Sequence, residues 1–429
     1  MIHGEEIQIQ AKRLGISAAA LQTYLEAGQG QRGPGVVRSM HAMAKPIGSA
    51  CNLDCSYCYY LSKEHLLGQD RRRMSDAVLE AYISDYIASQ DGEEIAFTWH
   101  GGEPTLLGLA FFEKIVALQA RHCPPGRRIS NDVQTNGTLL DDDWCRFLAA
   151  HGFLVGLSID GPRALHDRHR PTRGGQGSFD AVMRGARLLR AHGVTFATLT
   201  VVNRDTAKAP LEIYRFLRDE LGARNMQFIP CVEPRQFETT APDRHGDALP
   251  PPGSPRARAT HEDSVVTPWS VAPRDWGRFL VGVYDEWSAH DRDRVKINLI
   301  ESFRAQLAGQ PSLMCTSSPV CGKNIAVEHD GRVFSCDHYV YPEHEIGRVG
   351  ESSLAEMVFS VRQLEFGLNK FNTLPSVCRA CPYLNLCWGE CPRTRLLRTE
   401  DGNLSYLCEG WKIFFGHAVP RERGAGVSK

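Results

Sequence analysis

Apolar and polar positions change rhythm along this chain. Between residues 44 and 299, short apolar runs alternate with longer stretches of helical period. The runs predict strands at 44–47, 95–99, 129–134, 153–159, 195–202 and 226–229. The stretches between them predict helices at 76–89, 108–121, 141–151, 179–192 and 207–221. Strands alternating with helices imply parallel βαβ units, so the expected class is α/β. A further helix at 276–288 should close this unit. Residues 1–43 carry a helical period broken at Gly15 and read as a short helical extension packed on the main domain. A DNA-binding helix-turn-helix is the poorer account of them. Residues 28–35 read as a flexible link. Residues 235–272 are dense in proline, charge and small side chains, with few apolar anchors, and read as a mobile surface insertion. The organisation expected is an extension over 1–43, a core over 44–299, and a cysteine-rich domain with a C-terminal helix over 300–429.

Composition adds exclusions. The 429 residues suffice for two or three domains with sizeable cores. Net charge is −1 and 42% of residues are hydrophobic, so neither a nucleic-acid nor a membrane surface is expected. The first residues show no basic and apolar signal pattern, and no apolar run approaches spanning length. A cytoplasmic protein is expected. Its fourteen cysteines should then be thiols or metal ligands rather than disulfides. They are clustered: three fall at 51–58 and eight between 315 and 408. Cys123, Cys145 and Cys231 read as inert or buried thiols.

The chemistry starts at C-N-L-D-C-S-Y-C-Y-Y, where Cys51, Cys55 and Cys58 have the spacing C-x3-C-x2-C. Three such thiolates can ligate three corners of one [4Fe–4S] cube, which normally takes four cysteines. One iron is then open to a small molecule. Zinc is the competing account, but no fourth ligand follows at short range. Further motifs fall at predicted strand ends: H-G-G-E-P-T-L from His100, Q-T-N-G-T-L-L from Gln134, and S-I-D-G-P from Ser158. The eight later cysteines suffice for two more four-cysteine sets. A zinc ribbon of Cys378, Cys381, Cys387 and Cys391 would leave the other four unexplained.

The cysteine loop resembles that of radical S-adenosylmethionine (SAM) enzymes. The resemblance implies a partial (β/α)6 barrel with its chemistry at the C-terminal ends of strands. It implies SAM contacts from Tyr57, Gly102, Glu103, Ser158, Arg170 and Val232. The later cysteines resemble the SPASM domain, whose ligand sets interleave. Carried over, Cys315, Cys321, Cys336 and Cys391 hold one auxiliary cluster, and Cys378, Cys381, Cys387 and Cys408 hold another. Three [4Fe–4S] clusters and SAM are the cofactors implied.

Segments 99–108, 134–140, 156–162, 336–339 and 406–420 narrow the likeness to anaerobic sulfatase-maturating enzymes. That likeness implies Asp337 as catalytic base and Tyr60 as an active-site tyrosine. It implies oxidation of a Cys or Ser in an unfolded sulfatase polypeptide to Cα-formylglycine, with flavodoxin or ferredoxin as donor and the auxiliary clusters taking the second electron. Departures are His100, where some members have Gln, the extension and the insertion. A radical SAM enzyme crosslinking a ribosomally made peptide shares both cluster patterns and is the alternative. A non-enzymatic iron–sulfur carrier or sensor is disfavoured by the Gly-Gly-Glu-Pro segment.

Overall fold

The computed structural model describes residues 4–29, 37–67 and 73–425, so residues 30–35 of the expected link lie outside them. Strand β1 (His41–Lys45) begins three residues earlier than the apolar run predicts. It stops before Pro46, which has no N–H for the ladder. Strands β2 (Glu94–Trp99), β3 (Arg128–Thr135), β4 (Leu154–Ser158), β5 (Phe196–Val202) and β6 (Asn225–Pro230) follow, each parallel to the one before. A short β7 (Lys296–Ile297) continues the parallel set.

The other flank comes from the cysteine-rich half. Strand β8 (Asn324–Glu328) pairs in parallel with β1, and β9 (Arg332–Phe334) and β10 (Glu345–Arg348) follow antiparallel. One ten-stranded sheet results, in the order β10-β9-β8-β1-β2-β3-β4-β5-β6-β7. These last three strands escaped the sequence pattern because they are short and their partner lies far back in the chain. Register sets Lys45 directly beside Glu328. The turn after β9 then brings Cys336 and Asp337 to the end of β1.

Local chemistry fixes the helices that cover this sheet. Ser75 caps the helix Asp76–Ala88 through Val78 N–H, and Asp141 caps Asp142–Ala150 through Trp144 N–H. Tyr82 from the first of these meets Phe97 and Trp99 of β2 edge to face at 5.9 Å. The single helix expected at 207–221 is instead three pieces: a 3-10 turn Thr206–Lys208, a helix Pro210–Arg215 and a π-helical turn Phe216–Glu220. Pro210 starts the middle piece at a first-turn position, where its missing N–H costs nothing.

Two peripheral segments differ from expectation in instructive ways. The extension forms helices Gly4–Leu14 and Ala18–Gly28, which bury Ile7, Ala11, Leu14 and Leu21. They pack on Val361, Leu364 and Leu368 of the C-terminal half, not on the parallel units. Residues 235–272 are not a loose insertion. Phe237, Ala241, Leu249, Val266 and Val271 are buried, and Phe237 O accepts from Tyr341 OH at 2.5 Å. These anchors are scattered singly, so no periodicity announces them.

The C-terminal helix, Cys408–Ala425, runs against the helix Pro273–His290. A Cβ on Gly277 would lie 2.6 Å from Gly410 O, and one on Gly410 would lie 2.2 Å from Pro273 O. The two glycines let these backbones touch, and that contact fixes where Cys408 sits.

Candidate active site

Cys51, Cys55 and Cys58 lie on the loop after β1. Burial pushes the Cys51 thiol up to about 11 and Cys55 up to about 12, and Cys55 feels the charge of both Cys58 and Cys51. The Arg170 guanidinium favours the thiolate at all three. Three half-buried thiols with one facing cation suit an iron centre, which deprotonates its thiol ligands outright.

The eight later cysteines sort the same way. Cys321 and Cys336 each feel Cys391 and Cys315. Cys387 feels Cys408 and Cys378, and Cys408 feels Cys378 and Cys381. The second group lines a cavity of about 360 Å³ together with Tyr383 and Trp411. Cys321 and Cys336 thus neighbour Cys315 and Cys391, and Cys408 neighbours Cys378, Cys381 and Cys387. No three His, Cys, Asp or Glu side chains among the described residues converge on a single-ion site. Of the remaining cysteines, Cys145 and Cys231 are buried and Cys123 is half-buried.

The residues expected around SAM gather at the C-terminal ends of β1, β2, β4 and β6. Tyr57 OH donates to Asp160 Oδ2, and Arg170 Nη1 donates to Tyr57 OH at 2.7 Å. Burial works against the Arg170 charge, but Tyr57, Cys55 and Asp160 hold its pKa well above the usual value. Its Nε is buried without a protein partner, as are Thr198 Oγ1 and Asn203 Nδ2 on and after β5. A buried cation beside three thiols, with its Nε spare, fits a ligand that carries a carboxylate. Ser158 Oγ accepts from Gln134 Nε2 at 2.8 Å, and Gly156 leaves the space that Gln134 crosses. Val232 is fully buried in the apolar core.

Glu103, an expected SAM contact, has its carboxylate hydrogen-bonded within the protein. Its Oε1 accepts from Thr105 N, Thr105 Oγ1 and Thr135 Oγ1, and its Oε2 from Asn136 N, at 2.6–3.0 Å. It ties the loop after β2 to the end of β3. Gly102 N–H donates to Gly48 O and Glu103 N–H to Ala50 O, which fastens that loop onto the run leading to Cys51. A Cβ on Gly102 would lie 1.9 Å from Ala50 O, a backbone atom that cannot swing away. Gly102→Ala is expected to part the two loops. Its iron content should fall toward what the eight later cysteines hold, and SAM binding by equilibrium dialysis should be lost.

Asp337 is buried at the junction of β1 and β9. Its Oδ1 lies 2.5 Å from Lys45 Nζ, and Tyr59 OH donates to its Oδ2 at 2.5 Å. Burial alone would raise its pKa, but Lys45 and then His338 and His100 hold it well below the usual carboxylate range. Lys45 is fully buried, sits 4.3 Å over the Tyr60 ring and lies 3.1 Å from His100 Nδ1. Burial and Lys45 lower His100 to about 4, so its neutral ring accepts from Lys45 and from Gly101 N–H at 2.7 Å. Tyr60 OH donates to Glu328 Oε1. The tyrosine on Asp337 is thus Tyr59, with Tyr60 one step removed through Lys45.

Next to Asp337 a cleft of about 270 Å³ is lined by Tyr59, Glu233, Phe237, His338, Tyr341 and Arg393. Arg393 Nη1 donates to Glu233 Oε1 at 2.6 Å, and His338 Nδ1 is buried without a partner. Phe237 brings the 235–272 segment into this wall. Sequence reasoning missed Lys45, Tyr59, Glu233 and Arg393. The one available signal was Lys45-Pro46, a charge at the end of an apolar strand six residues before Cys51.

Residues 46–217 match the Radical SAM superfamily and residues 315–382 match SPASM, described as an iron-sulfur cluster-binding domain. The chain is 40% identical to a serine-type anaerobic sulfatase-maturating enzyme of Bacteroides thetaiotaomicron, over 89% of this chain and 90% of that one. It is 32% identical to a cysteine-type anaerobic sulfatase-maturating enzyme of Clostridium perfringens, over 88% of this chain and 96% of that one. The solved structure described as native anSMEcpe with bound AdoMet superposes with a TM-score of 0.77 at 31% identity, covering 91% of this chain and 100% of the other. A second, with AdoMet and the Kp18Cys peptide, also gives 0.77, at 30% identity over 90% and 99%.

Proposed function

The chain belongs to the radical SAM family of anaerobic sulfatase-maturating enzymes, and on that premise we propose that it converts a serine or cysteine of an unfolded sulfatase segment to Cα-formylglycine. The observation that carries this reading is Asp337, a buried carboxylate kept ionised by Lys45 and next in the chain and in space to His338 and Tyr59, which line a cleft. Cys51, Cys55 and Cys58 would hold the cluster that binds SAM, and the two interleaved sets would hold two auxiliary [4Fe–4S] clusters. When bound, these groups supply a 5′-deoxyadenosyl radical that takes one hydrogen atom from the target Cβ, and an outlet for the second electron.

This chain's own residues supply the rest. The Arg170 cation, with its spare Nε, orients the cofactor. Glu103 locks the loops around it. A target segment laid against the wall of Tyr59, His338 and Arg393 would present its hydroxyl or thiol to Asp337, which takes the proton. Ser then loses two hydrogens to become the aldehyde; Cys gives a thioaldehyde that water converts to the aldehyde and hydrogen sulfide. Greater identity to the serine-type relatives supports Ser as a target. The electron comes from a low-potential one-electron donor, for which flavodoxin or ferredoxin is the class in this reading. No helix among the described residues is long and apolar enough to cross a membrane. Fourteen cysteines, eleven of them cluster ligands in this reading, suit a reducing compartment such as the cytoplasm.

The test is anaerobic. Protein reconstituted with iron and sulfide receives dithionite, SAM and one of two sulfatase-segment peptides that differ only in Ser or Cys at the target. Hydrazine-reactive aldehyde should appear on the Ser peptide in step with 5′-deoxyadenosine. Deoxyadenosine with neither peptide changed would overturn the reading, and a mass change without aldehyde would favour crosslinking.

A further inference from the structure

In the cysteine-rich half Lys370 is fully buried and Arg395 nearly so. Among the described residues neither makes an ion pair with Asp or Glu. Lys370 Nζ donates to Cys315 O at 2.5 Å and Thr316 O at 2.8 Å. Arg395 donates to Gly389 O at 3.1 Å, Trp388 O at 3.1 Å, Lys370 O at 2.7 Å and Thr373 Oγ1 at 3.1 Å. Carbonyls satisfy the hydrogen bonds, but they leave two full charges uncompensated in a dry interior, which is costly.

Their places in the chain of contacts point to the cysteines. Lys370 Nζ sits on the backbone of Cys315 and Thr316, within the first set of four. Arg395 sits on Trp388 and Gly389, between Cys387 of one set and Cys391 of the other.

The backbone around Arg395 is specialised for that place. Cys387 belongs to one set and Cys391 to the other, so residues 388–390 join the two. Trp388, Gly389 and Glu390 have φ of 50°, 67° and 58°, an unfavourable region for the two that are not glycine. The guanidinium collects carbonyls that this left-handed turn exposes. Glu390 is anchored from the other side, accepting from Thr394 Oγ1 at 2.8 Å and Ser405 Oγ at 2.5 Å. A Cβ at Gly389 would fall 2.9 Å from Arg395 Nη2, so the side chain lies flat on the turn.

We propose that Arg395 and Lys370 are the fixed counter-charges of the auxiliary clusters, Arg395 raising the reduction potential of both and Lys370 that of the Cys315/Cys321/Cys336/Cys391 cluster alone. Both are positioning residues. The inference rests on the reading that these eight cysteines hold two clusters, and not on which peptide is oxidised. A four-thiolate cluster gains one negative charge when it takes one electron, so a nearby buried cation favours the reduced form.

The test needs no peptide. Reconstituted wild type, Arg395→Gln, Arg395→Lys and Lys370→Gln are titrated with dithionite against potential and followed by electron paramagnetic resonance. The three-cysteine cluster is recognised by its response to SAM. Arg395→Gln should move both other midpoints to more negative potential and leave the SAM-responsive one in place. Arg395→Lys should restore them, which a purely structural role would not do. Lys370→Gln should move one midpoint only. If Arg395→Gln loses iron, Lys370→Gln decides, and a shift in neither or in both auxiliary midpoints overturns the proposal. Unshifted midpoints in a fully loaded Arg395→Gln overturn it too. A wild type with no second and third signal would remove the premise itself.

Discussion

Asp337→Asn should abolish aldehyde formation while SAM cleavage persists. The substitution preserves size and an acceptor oxygen for Lys45 and removes the capacity to take a proton. A positioned general base contributes about 10²–10⁴-fold, so aldehyde yield should fall by at least about 100-fold. Tyr57, Arg170 and Asp160, beside the three-cysteine loop, form a network of their own that does not include this side chain. Deoxyadenosine should therefore form at a rate within a few-fold of wild type, now uncoupled from product. The measurement is the ratio of aldehyde to deoxyadenosine in single time courses. An unchanged ratio would remove Asp337 from the role of base and direct attention to Tyr59, which shares its hydrogen bond.

The site was legible wherever its chemistry is written in short spacing. Cys51, Cys55 and Cys58 sit on one loop, and the motifs from His100, Gln134 and Ser158 each follow a strand, so local pattern alone placed them. Parallel units with buried strands gave apolar runs whose bounds matched to within a few residues; Pro46 and Pro210 account for the clearest shifts. What escaped was non-local. Lys45 looks like a solvated strand end until β8 pairs with β1 and the turn after β9 delivers Asp337 to it. Glu233 and Arg393 are ordinary surface charges in sequence, and they meet only because the C-terminal half folds back over the end of β6. The 235–272 segment misled for a related reason. Its composition is that of a loose loop, but single apolar residues such as Phe237 and Val266 find pockets that no local pattern encodes. Tyr59 and Tyr60 are adjacent in a Cys-Tyr-Tyr run, and only the direction of each side chain separates the Asp337 partner from the Glu328 partner.

Lys45→Met should be the most destabilising of these substitutions, and the pair it breaks can be isolated. Methionine fills the lysine volume but leaves the Asp337 carboxylate buried without its cation, a loss on the order of 3–5 kcal/mol. Adding Asp337→Asn removes the orphaned charge, so the double variant should recover a substantial part of that loss. Such recovery is the mark of a coupled pair rather than of two separate packing defects. The pH dependence carries an independent sign. In wild type the folded Asp337 pKa is depressed, so the pair stabilises above the unfolded carboxyl value and this contribution is lost as pH falls through the folded one. Without Lys45, burial dominates and the folded pKa rises above the unfolded value. The variant should then be relatively more stable in acid and lose stability as pH rises toward neutrality. Thermal unfolding midpoints of the four proteins at matched iron content, between about pH 5 and pH 8, give both answers. A deficit in Lys45→Met that is independent of pH, and that Asp337→Asn does not relieve, would mean that the lysine supports the fold through its contacts with Tyr60 and His100 and not through the base.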